Sequence, residues 1–432
     1  MNWANQIALS RILELKSILN YPTLLLLILL LFSCRPAQEI DVATANKQEF
    51  EDFIHQLETE FIYRSDKQSI IDCLKDTYAN SVDTITKPYY KVLCYEAILN
   101  EFHDSHISLN TNTDRSYRLR SPIYVVERDN QFYIKHIFYS QLKSNPEPNV
   151  IDAVVERFNG RPFNQVIADF PSSCMDKTDP TIREWIANKV LAGRRDQSRI
   201  LTLRLQDGNP LQISLAGLQL KNDGAVMYNR INNRIGYIRI NNSLGNPSLV
   251  SEFDTTLHRM MDTEALILDL RNTPNGGNTD VAEPILGRFI TEDQGYQICE
   301  NKTERYTRTV SPRKTAYTKP VYVLVGRWTG SMGEGMAIGL DGMKRATIAG
   351  TEMNRLAGGI KTIPILNSDF GFHIPIEKMY HLNGELRETF VPQEYVNQSD
   401  NDQDHHMNHV MRLIKGESVS YTHLTLPTTP YV

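Results

Sequence analysis

Short apolar runs alternate with helical patterns through the second half of this chain, and this alternation restricts the fold more than any other feature. Residues 265–270 and 321–325 are almost wholly apolar. Residues 249–261 and 333–343 have the spacing of amphipathic helices. Apolar strands that alternate with helices are typical of an α/β layer around a buried sheet. We therefore predict an α/β domain over residues 222–416.

The first half of the chain divides into two other patterns. Between residues 47 and 118, apolar residues recur at three- and four-residue steps, as at Phe50, Phe53 and Ile54, which indicates helices. From residue 119 to 221 the apolar period changes to two, which is typical of strands. The sequence therefore predicts a mixed α/β chain, in which a small helical domain and a mostly β module precede the α/β domain.

Composition argues against nucleic-acid binding and against a long disordered acidic tail. The chain has 432 residues, of which 41% are apolar and 22% charged, and its net charge is −5. These values are ordinary for a folded protein of two or three domains. The sequence has no basic stripe that would bind nucleic acid and no long acidic tract that would form a disordered tail.

The N-terminus has the pattern of an export signal. Arg11 and Lys16 precede an apolar run at 23–32, which is too short to span a bilayer, and Ser33 and Cys34 follow it. The ending resembles a bacterial lipoprotein signal, in which the cysteine becomes the lipidated first residue. A short membrane anchor and a buried helix are the alternatives.

This resemblance implies export and attachment to the bacterial cell envelope through a lipid, without indicating the membrane leaflet. Residues 1–34 are then a signal peptide, and the polar residues 35–46 form a tether. A helix is predicted at 408–415. The tail at 417–432 is atypical, and its last fourteen residues continue no pattern and are excluded from the fold argument.

The remaining cysteines, Cys73, Cys94, Cys174 and Cys299, match no zinc-binding spacing. In an exported protein, Cys73 and Cys94 could pair, since both lie in the helical region. Buried free thiols are the alternative.

Two turns carry residue types that suit acyl transfer. The strand at 265–270 leads into a turn that ends in Gly276 and Gly277, which can present backbone N–H groups to a ligand. Ser331 lies between a strand and a helix, where the helix N-terminus favours negative charge. The amides of Met332 and one of the glycines can then form an oxyanion hole. The alternatives are an ordinary glycine-rich loop and a serine that only caps the helix.

The chain resembles the tail-specific, or C-terminal processing, serine protease family over roughly residues 45–400. The family implies a ClpP/crotonase-like catalytic domain and a degenerate PDZ-like β module. The resemblance is carried by Asp269-Leu270-Arg271-Asn272 with Gly276-Gly277, by Ser331-x-x-Glu334 with Arg345-Ala346 and Gly350, and by Phe158-Asn159-Gly160-Arg161-Pro162 before a helix.

The family has two catalytic branches, and the residues favour one of them. Leu356 stands where the Ser/Lys branch has its lysine, and Lys361 is displaced from that position. The other branch resembles the tricorn protease core and uses two serines, a histidine and a glutamate. The match to that branch implies a tetrad of Ser105, His106, Ser331 and Glu388, with Glu385 as the alternative glutamate; a Ser331/Lys361 dyad remains a third interpretation.

The predicted function is therefore a serine peptidase that needs no metal or organic cofactor. Its partners are peptide or protein substrates and, through the lipid, a membrane; the sequence does not predict an oligomeric state. His106 acts as general base, and Glu388 orients it, with Ser105 as the expected intermediary. Glu334 is interpreted as structural or solvating. A peptide- or ligand-binding lipoprotein of the same fold is the alternative from a different functional class.

Overall fold

The computed structural model describes residues 41–400 and 403–417, so Cys34 and the tail from 418 lie outside the described residues. Short 3₁₀ helices cover Arg64–Lys67 and Arg387–Thr389. The α-helices among the described residues are α1 (Val42–Glu60), α2 (Gln68–Val82), α3 (Pro88–Asn100), α4 (Phe163–Ala168), α5 (Pro180–Ala192), α6 (Ser248–His258), α7 (Thr279–Leu286), α8 (Met332–Gly342) and α9 (His405–Ile414).

The strands form three sheets. The strands among the described residues are β1 (Ser108–Leu109), β2 (Ile123–Arg128), β3 (Gln131–Ile137), β4 (Val154–Phe158), β5 (Arg161–Pro162), β6 (Ile200–Arg204), β7 (Pro210–Ser214), β8 (Val226–Ile231), β9 (Ile235–Asn241), β10 (Ala265–Asn272), β11 (Gln294–Glu300), β12 (Arg305–Val310), β13 (Val321–Val325), β14 (Thr347–Gly350), β15 (Gly359–Pro364), β16 (Gly371–Tyr380) and β17 (Glu394–Tyr395).

The central sheet has the order β17-β14-β13-β10-β9-β8, and all pairs are parallel except β8 with β9. Strand β10 is buried along nearly its whole length, because helices cover both faces of the sheet. The predicted α/β layer is therefore confirmed. Strands β10 and β13 end at the same edge, and this brings the glycine turn and the Ser331 turn together.

The helical region is not an independent body. Its apolar core includes residues of β15 and β16, and Phe53 of α1 packs on Phe372 of β16 with ring centroids 4.8 Å apart. Strand β1, just after His106, pairs with β16 through Ser108 and His373. The His106 segment is therefore fixed to a strand that lies more than two hundred residues later in the chain.

The prediction of a tether to residue 46 is wrong at its end, because α1 begins at Val42. Asn46 is buried and its amide donates to the carbonyls of Val82 and Ile85, at 3.2 and 2.7 Å. A polar residue in this helix is thus satisfied by the end of α2, which a pattern of apolar residues does not reveal.

The β module contains an antiparallel sheet of order β2-β3-β4-β6-β7, and α5 packs against β2. The hairpin of β6 and β7 and the helix that begins at Phe163 agree with the sequence prediction. The ring of Phe138 stacks on Trp328 at 4.6 Å, close to Ser331 in the chain. The β module therefore contacts the turn that carries Ser331, while its PDZ-like character stays an interpretation.

Cys73 forms a disulfide with Cys174, with Cα atoms 5.8 Å apart, so the suggested pairing with Cys94 is wrong. The carboxylate of Glu101, at the end of α3, accepts the amides of Ser173 and Cys174 and the hydroxyl of Tyr78 in α2, and so holds this loop against both helices. Cys94 has a free thiol packed in the core of the helical region. The bond joins the helical region to the β module.

None of the helices within residues 41–400 and 403–417 combines the length and the apolar character that crossing a membrane requires.

Candidate active site

Ser331 occupies a strained position between β13 and α8. Its φ of 49° and ψ of −111° are unusual for a residue with a side chain, and such strain is often found at functional sites. The amide of Ser331 donates to the carboxylate of Glu334 at 2.6 Å, and the two residues have the arrangement of a capping box. A cap alone does not require the strained backbone, so capping is not the whole explanation of this serine.

The glycine turn lies directly against Ser331. Gly276 has a φ of 63°, and a Cβ placed on it would lie 2.4 Å from Cβ of Ser331 and 2.9 Å from the amide nitrogen of Met332. A Cβ on Gly277 would lie 2.1 Å from the carbonyl of Leu244. Gly276 is therefore required for the turn to approach Ser331 this closely, and Gly277 is required for its approach to Leu244.

The amides near Ser331 differ in their availability. The amide of Gly276 donates to the carbonyl of Thr273 at 2.9 Å and so closes its own turn. The amides of Met332 and Gly277 have no hydrogen-bond partner within the described part of the chain. The sequence left open whether Gly276 or Gly277 supplies an oxyanion donor. Of the two, Gly277 has the amide that is free to bind a ligand.

His106 lies in a buried loop between α3 and β1. Its amide donates to the carboxylate of Asp104 at 2.7 Å, and Nδ1 of its ring lies 2.7 Å from the carbonyl oxygen of Ala357. Because a carbonyl only accepts, Nδ1 carries the proton and Nε2 is left as the basic nitrogen. This is the tautomer that a general base requires.

The loop at 351–358 connects the histidine to the serine. Besides the Ser331 amide, the carboxylate of Glu334 accepts the amides of Arg355 and Leu356, at 2.8 and 3.4 Å. Leu356 directly precedes Ala357, whose carbonyl binds His106. Glu334 is wholly buried, and burial raises its pKa to about 7, although the nearby Arg387 and the three amides act in the opposite direction. The structural interpretation of Glu334 therefore holds, and the solvating one does not.

Arg387 fixes the same loop from the other side. Its Nη2 donates to the carbonyls of Leu356 and Gly358, at 2.8 and 2.6 Å. Burial, and after it the positive charge of Arg387, lower the pKa of His106 to about 3. The imidazole is therefore neutral over the physiological pH range.

Comparison with known proteins places these turns in a family. Residues 234–395, which include the glycine turn and Ser331, match the model of peptidase family S41. The chain carries a peptidase family S41 domain. The sequence predictions of a family relationship and of a peptidase are thus confirmed.

Two solved structures resemble this chain over most of its length. Mature CPAF is 14% identical with a TM-score of 0.58, and the match covers 87% of this chain and 96% of CPAF. The photosystem II D1 C-terminal processing protease is 13% identical with a TM-score of 0.53, over 82% of this chain and 94% of that protein. At this identity the likeness establishes a common fold, and the fold extends beyond the S41 domain to the helical region and the β module.

Glu388 lies near the site but outside the hydrogen-bonded route that the sequence predicts. Oε1 of Glu388 accepts from the hydroxyl of Tyr63 at 2.6 Å, and Oε2 is buried without a partner among the described residues. Ser105 is exposed, and its side chain makes no hydrogen bond to a described residue. Since Ala357 occupies Nδ1 of His106, the expected link from Glu388 through Ser105 is not formed here.

The alternative residues fit less well. Glu385 is exposed in a turn, where it bonds Asn383. Lys361 has a side chain that is 56% exposed and lies 3.8 Å from the carboxylate of Glu60, so it lacks the desolvation that a lysine base needs. Leu356, at the position of the family lysine, is buried and apolar. The geometry therefore disfavours the Ser331/Lys361 dyad.

The Asp-Leu-Arg-Asn segment at 269–272 has a structural role in this chain. Arg271 donates to Asp269 and to Asp404, each at 2.7 Å, and Asp404 caps the N-terminus of α9. This ion pair lowers the pKa of Asp404. The end of β10, and with it the glycine turn, is thus anchored to the C-terminal helix.

Sequence reasoning missed three groups of this site: the carbonyl of Ala357, the guanidinium of Arg387 and the hydroxyl of Tyr63. A backbone carbonyl has no sequence signature, so the first was not detectable. Tyr63 lies in an irregular segment and contacts Glu388 across 325 positions. Arg387 had a weak signal, since it directly precedes the glutamate assigned to the site.

Proposed function

We propose that this chain is a serine endopeptidase, or C-terminal processing peptidase, that cleaves peptides with Ser331 as nucleophile and His106 as general base. The observation that carries the proposal is the loop at 356–358, which binds His106 through Ala357 and the Ser331 turn through Glu334. This loop therefore links two segments that are far apart in the chain, and each carries the residue type that acyl transfer requires.

In the proposed reaction, Nε2 of His106 takes the proton of Ser331 Oγ as this oxygen attacks the peptide carbonyl. The negative charge that develops on the carbonyl oxygen is stabilised by the amides of Met332 and Gly277, each contributing about 3–4 kcal/mol to the transition state. The imidazolium then gives its proton to the leaving amine. Water hydrolyses the acyl-enzyme by the same steps in reverse.

Ser105 and Glu388 complete the proposed tetrad in a supporting role. The buried Oε2 of Glu388 is the acceptor that the Ser105 hydroxyl would need, while Tyr63 holds Oε1. We expect Glu388→Gln to lower kcat by about tenfold or more, as for loss of an orienting group. Glu385→Gln is the matched control, and equal activity of the two variants would remove Glu388 from the tetrad.

Attachment to the cell envelope through a lipid on Cys34 is part of the proposal. The disulfide between Cys73 and Cys174 supports an oxidising compartment, because such bonds are rare in the cytosol. We expect the mature protein to partition into detergent and the Cys34→Ser variant to remain in the aqueous phase or unprocessed. A mature protein that keeps an unmodified Cys34 would contradict the anchor.

A fluorophosphonate probe tests the nucleophile. We expect rapid labelling of the wild-type protein, none of Ser331→Ala, and a rate at least ~10³-fold lower for His106→Ala. His103→Ala is a matched control in the same loop, since His103 contacts Lys67 instead of Ala357. Lys361→Ala should label at nearly the wild-type rate. If folded wild-type protein binds peptides but is not labelled, the chain is a binding protein of this fold.

A further inference from the structure

Arg120 lies in the connection between the helical region and the β module, and it is fixed beside Ser331 from two directions. Its Nη2 donates to the carbonyl of Pro274 in the glycine turn at 2.9 Å. The carbonyl of the next residue, Ser121, accepts from the indole of Trp328 at 3.1 Å. Trp328 is three positions before Ser331. One contact therefore ties Arg120 to the glycine turn and the other ties its chain to the Ser331 turn.

The distance from Arg120 to the nucleophile turn is short. Nη2 of Arg120 lies 2.9 Å from the carbonyl oxygen of Pro274. A Cβ placed on Gly330 would lie 2.9 Å from the same oxygen. Nη2 of Arg120 is therefore separated from that Cβ position by at most twice this distance. Gly330 directly precedes Ser331. An extended peptide advances about 3.3 Å per residue. A substrate group bound by Arg120 would therefore belong to a residue within two or three positions of the peptide bond that Ser331 attacks in the proposed reaction.

Arg120 also has unused donor capacity. A guanidinium has five N–H donors, and the described residues accept from one of its nitrogens. Two other arginines that have no carboxylate partner donate to several backbone carbonyl groups instead. Arg345 donates to three carbonyls and Arg199 to two. Other buried arginines have carboxylates: Arg271 has Asp269 and Asp404, and Arg288 has Asp254.

Within residues 41–400 and 403–417 the Arg120 guanidinium has the Pro274 carbonyl as a partner and forms no ion pair with a carboxylate. Its pKa is lowered to about 10 by burial, with no neighbouring negative charge acting against this change. A half-buried cation without a counter-ion is unfavourable in the free protein, and an arriving anion relieves this cost. The planar guanidinium matches a carboxylate, which it can bind through two parallel hydrogen bonds.

We propose that Arg120 binds a carboxylate of the substrate peptide within two or three residues of the scissile bond. The proposal rests on the proposed function of Ser331. The carboxylate has two sources, the C-terminus of the peptide and an aspartate or glutamate side chain. In either case Arg120 determines which peptides bind and takes no part in bond cleavage.

Retention of peptides on immobilised protein tests this proposal without requiring turnover. Mature protein with Ser331→Ala is compared with the same protein carrying Arg120→Gln. Random octapeptides are applied as free acids and as C-terminal amides, each with and without acidic residues, and retained peptides are quantified by mass spectrometry. We expect Arg120→Gln to reduce retention of carboxylate-bearing peptides about 10- to 100-fold, as for loss of a charge-assisted pair, and to leave neutral amides unchanged.

The four libraries separate the two sources. A loss confined to the free acids identifies the C-terminus, and a loss confined to acidic peptides identifies a side chain. Arg118→Gln is the matched control, because Arg118 is two positions away and donates only to carbonyls at 193–195. Arg120→Lys should keep part of the preference, and a melting curve checks the fold of each variant.

Equal loss for all libraries, or no loss, would overturn the proposal, because Arg120 would then only support the turn through Pro274. Fluorophosphonate labelling of protein that retains Ser331 reports on the catalytic proposal independently. Retention that depends on carboxylate and on Arg120, in a protein that is never labelled, would keep the carboxylate site and remove the peptidase function.

Discussion

Nδ1 of His106 lies 2.7 Å from the carbonyl oxygen of Ala357, a residue 251 positions further along the chain. A backbone carbonyl sets the tautomer of the proposed base, where many serine hydrolases use a carboxylate. The imidazole is thus held without a negative charge near that nitrogen, and Arg387 donates to two other carbonyls of the same loop.

The acid limb of the pH–rate profile should lie well below the ordinary pKa of histidine. From the sequence alone, a rise near pH 6–7 is expected. In the structure burial and Arg387 lower the pKa of His106 to about 3, so the base stays neutral to much lower pH. We expect the rate of fluorophosphonate labelling to change little between pH 8 and pH 5. A rise centred at pH 6.5 or above would contradict this environment for His106.

Glu334 should make the stability of the fold depend on pH in an unusual direction. Its pKa is about 7 in the folded chain, above the ordinary 4.5, so the folded state binds this proton more tightly than the unfolded state does. Its contribution to the free energy of unfolding is therefore fully present below about pH 4.5 and is lost as the pH rises through 7. The effect is at most roughly 3 kcal/mol.

The Glu334→Gln variant tests this contribution. It should remove this part of the pH dependence, which urea unfolding at pH 5, 7 and 8.5 can measure against wild type. Activity should also fall by about tenfold or more, since one amide oxygen replaces two carboxylate oxygens that accept three amides. Identical pH dependence in both proteins would show that Glu334 does not titrate in this range.

Gly276→Ala should abolish most activity while leaving the protein folded. The added Cβ would lie 2.4 Å from Cβ of Ser331 and would occupy a φ of 63°, so the nucleophile turn must shift. We expect a loss of kcat of at least ~10²-fold, as for displacement of reacting groups by about 1 Å. Gly160→Ala is the control, because Gly160 has a φ of 80° with nothing near its Cβ position. Equal effects of both substitutions would indicate backbone strain alone.

The disulfide between Cys73 and Cys174 should stabilise the contact between the helical region and the β module. Reduction, or Cys73→Ser, should lower the free energy of unfolding by about 2–5 kcal/mol. Cys94→Ser should have a smaller effect, since Cys94 has no disulfide partner. Thermal melts with and without reductant measure both. An unchanged melting temperature on full reduction would show that the bond is not needed for this contact.

The elements that local patterns encode were predictable, and the contacts between distant segments were not. Strand β13 matches the apolar run at 321–325, and the position of Ser331 before a helix followed from the sequence. The partner of Cys73 lies 101 positions away, and Tyr63 meets Glu388 across 325 positions. Such contacts form when whole helices and strands pack together. The periodicity and spacing of residues along the chain therefore do not predict them.

Glu334 is an intermediate case. Its spacing from Ser331 is that of a capping box, so its bond to the Ser331 amide was open to prediction. Its second role, binding the amides of Arg355 and Leu356, depends on how the loop after β14 returns to the helix. The local sequence therefore predicts the bond of Glu334 to the Ser331 amide, whereas its bonds to Arg355 and Leu356 depend on the tertiary structure.

The pairing of β1 with β16 has a consequence for the order in which the protein matures. Synthesis proceeds from the N-terminus, so Ser108 and the nearby His106 are made long before Phe372 and His373, the strand residues that fix them in place. Ser331 is also complete before that strand exists. A growing chain therefore carries the proposed nucleophile and base before the strand that fixes the His106 segment exists, and we expect peptidase activity only after the strand at 371–380 has emerged and paired.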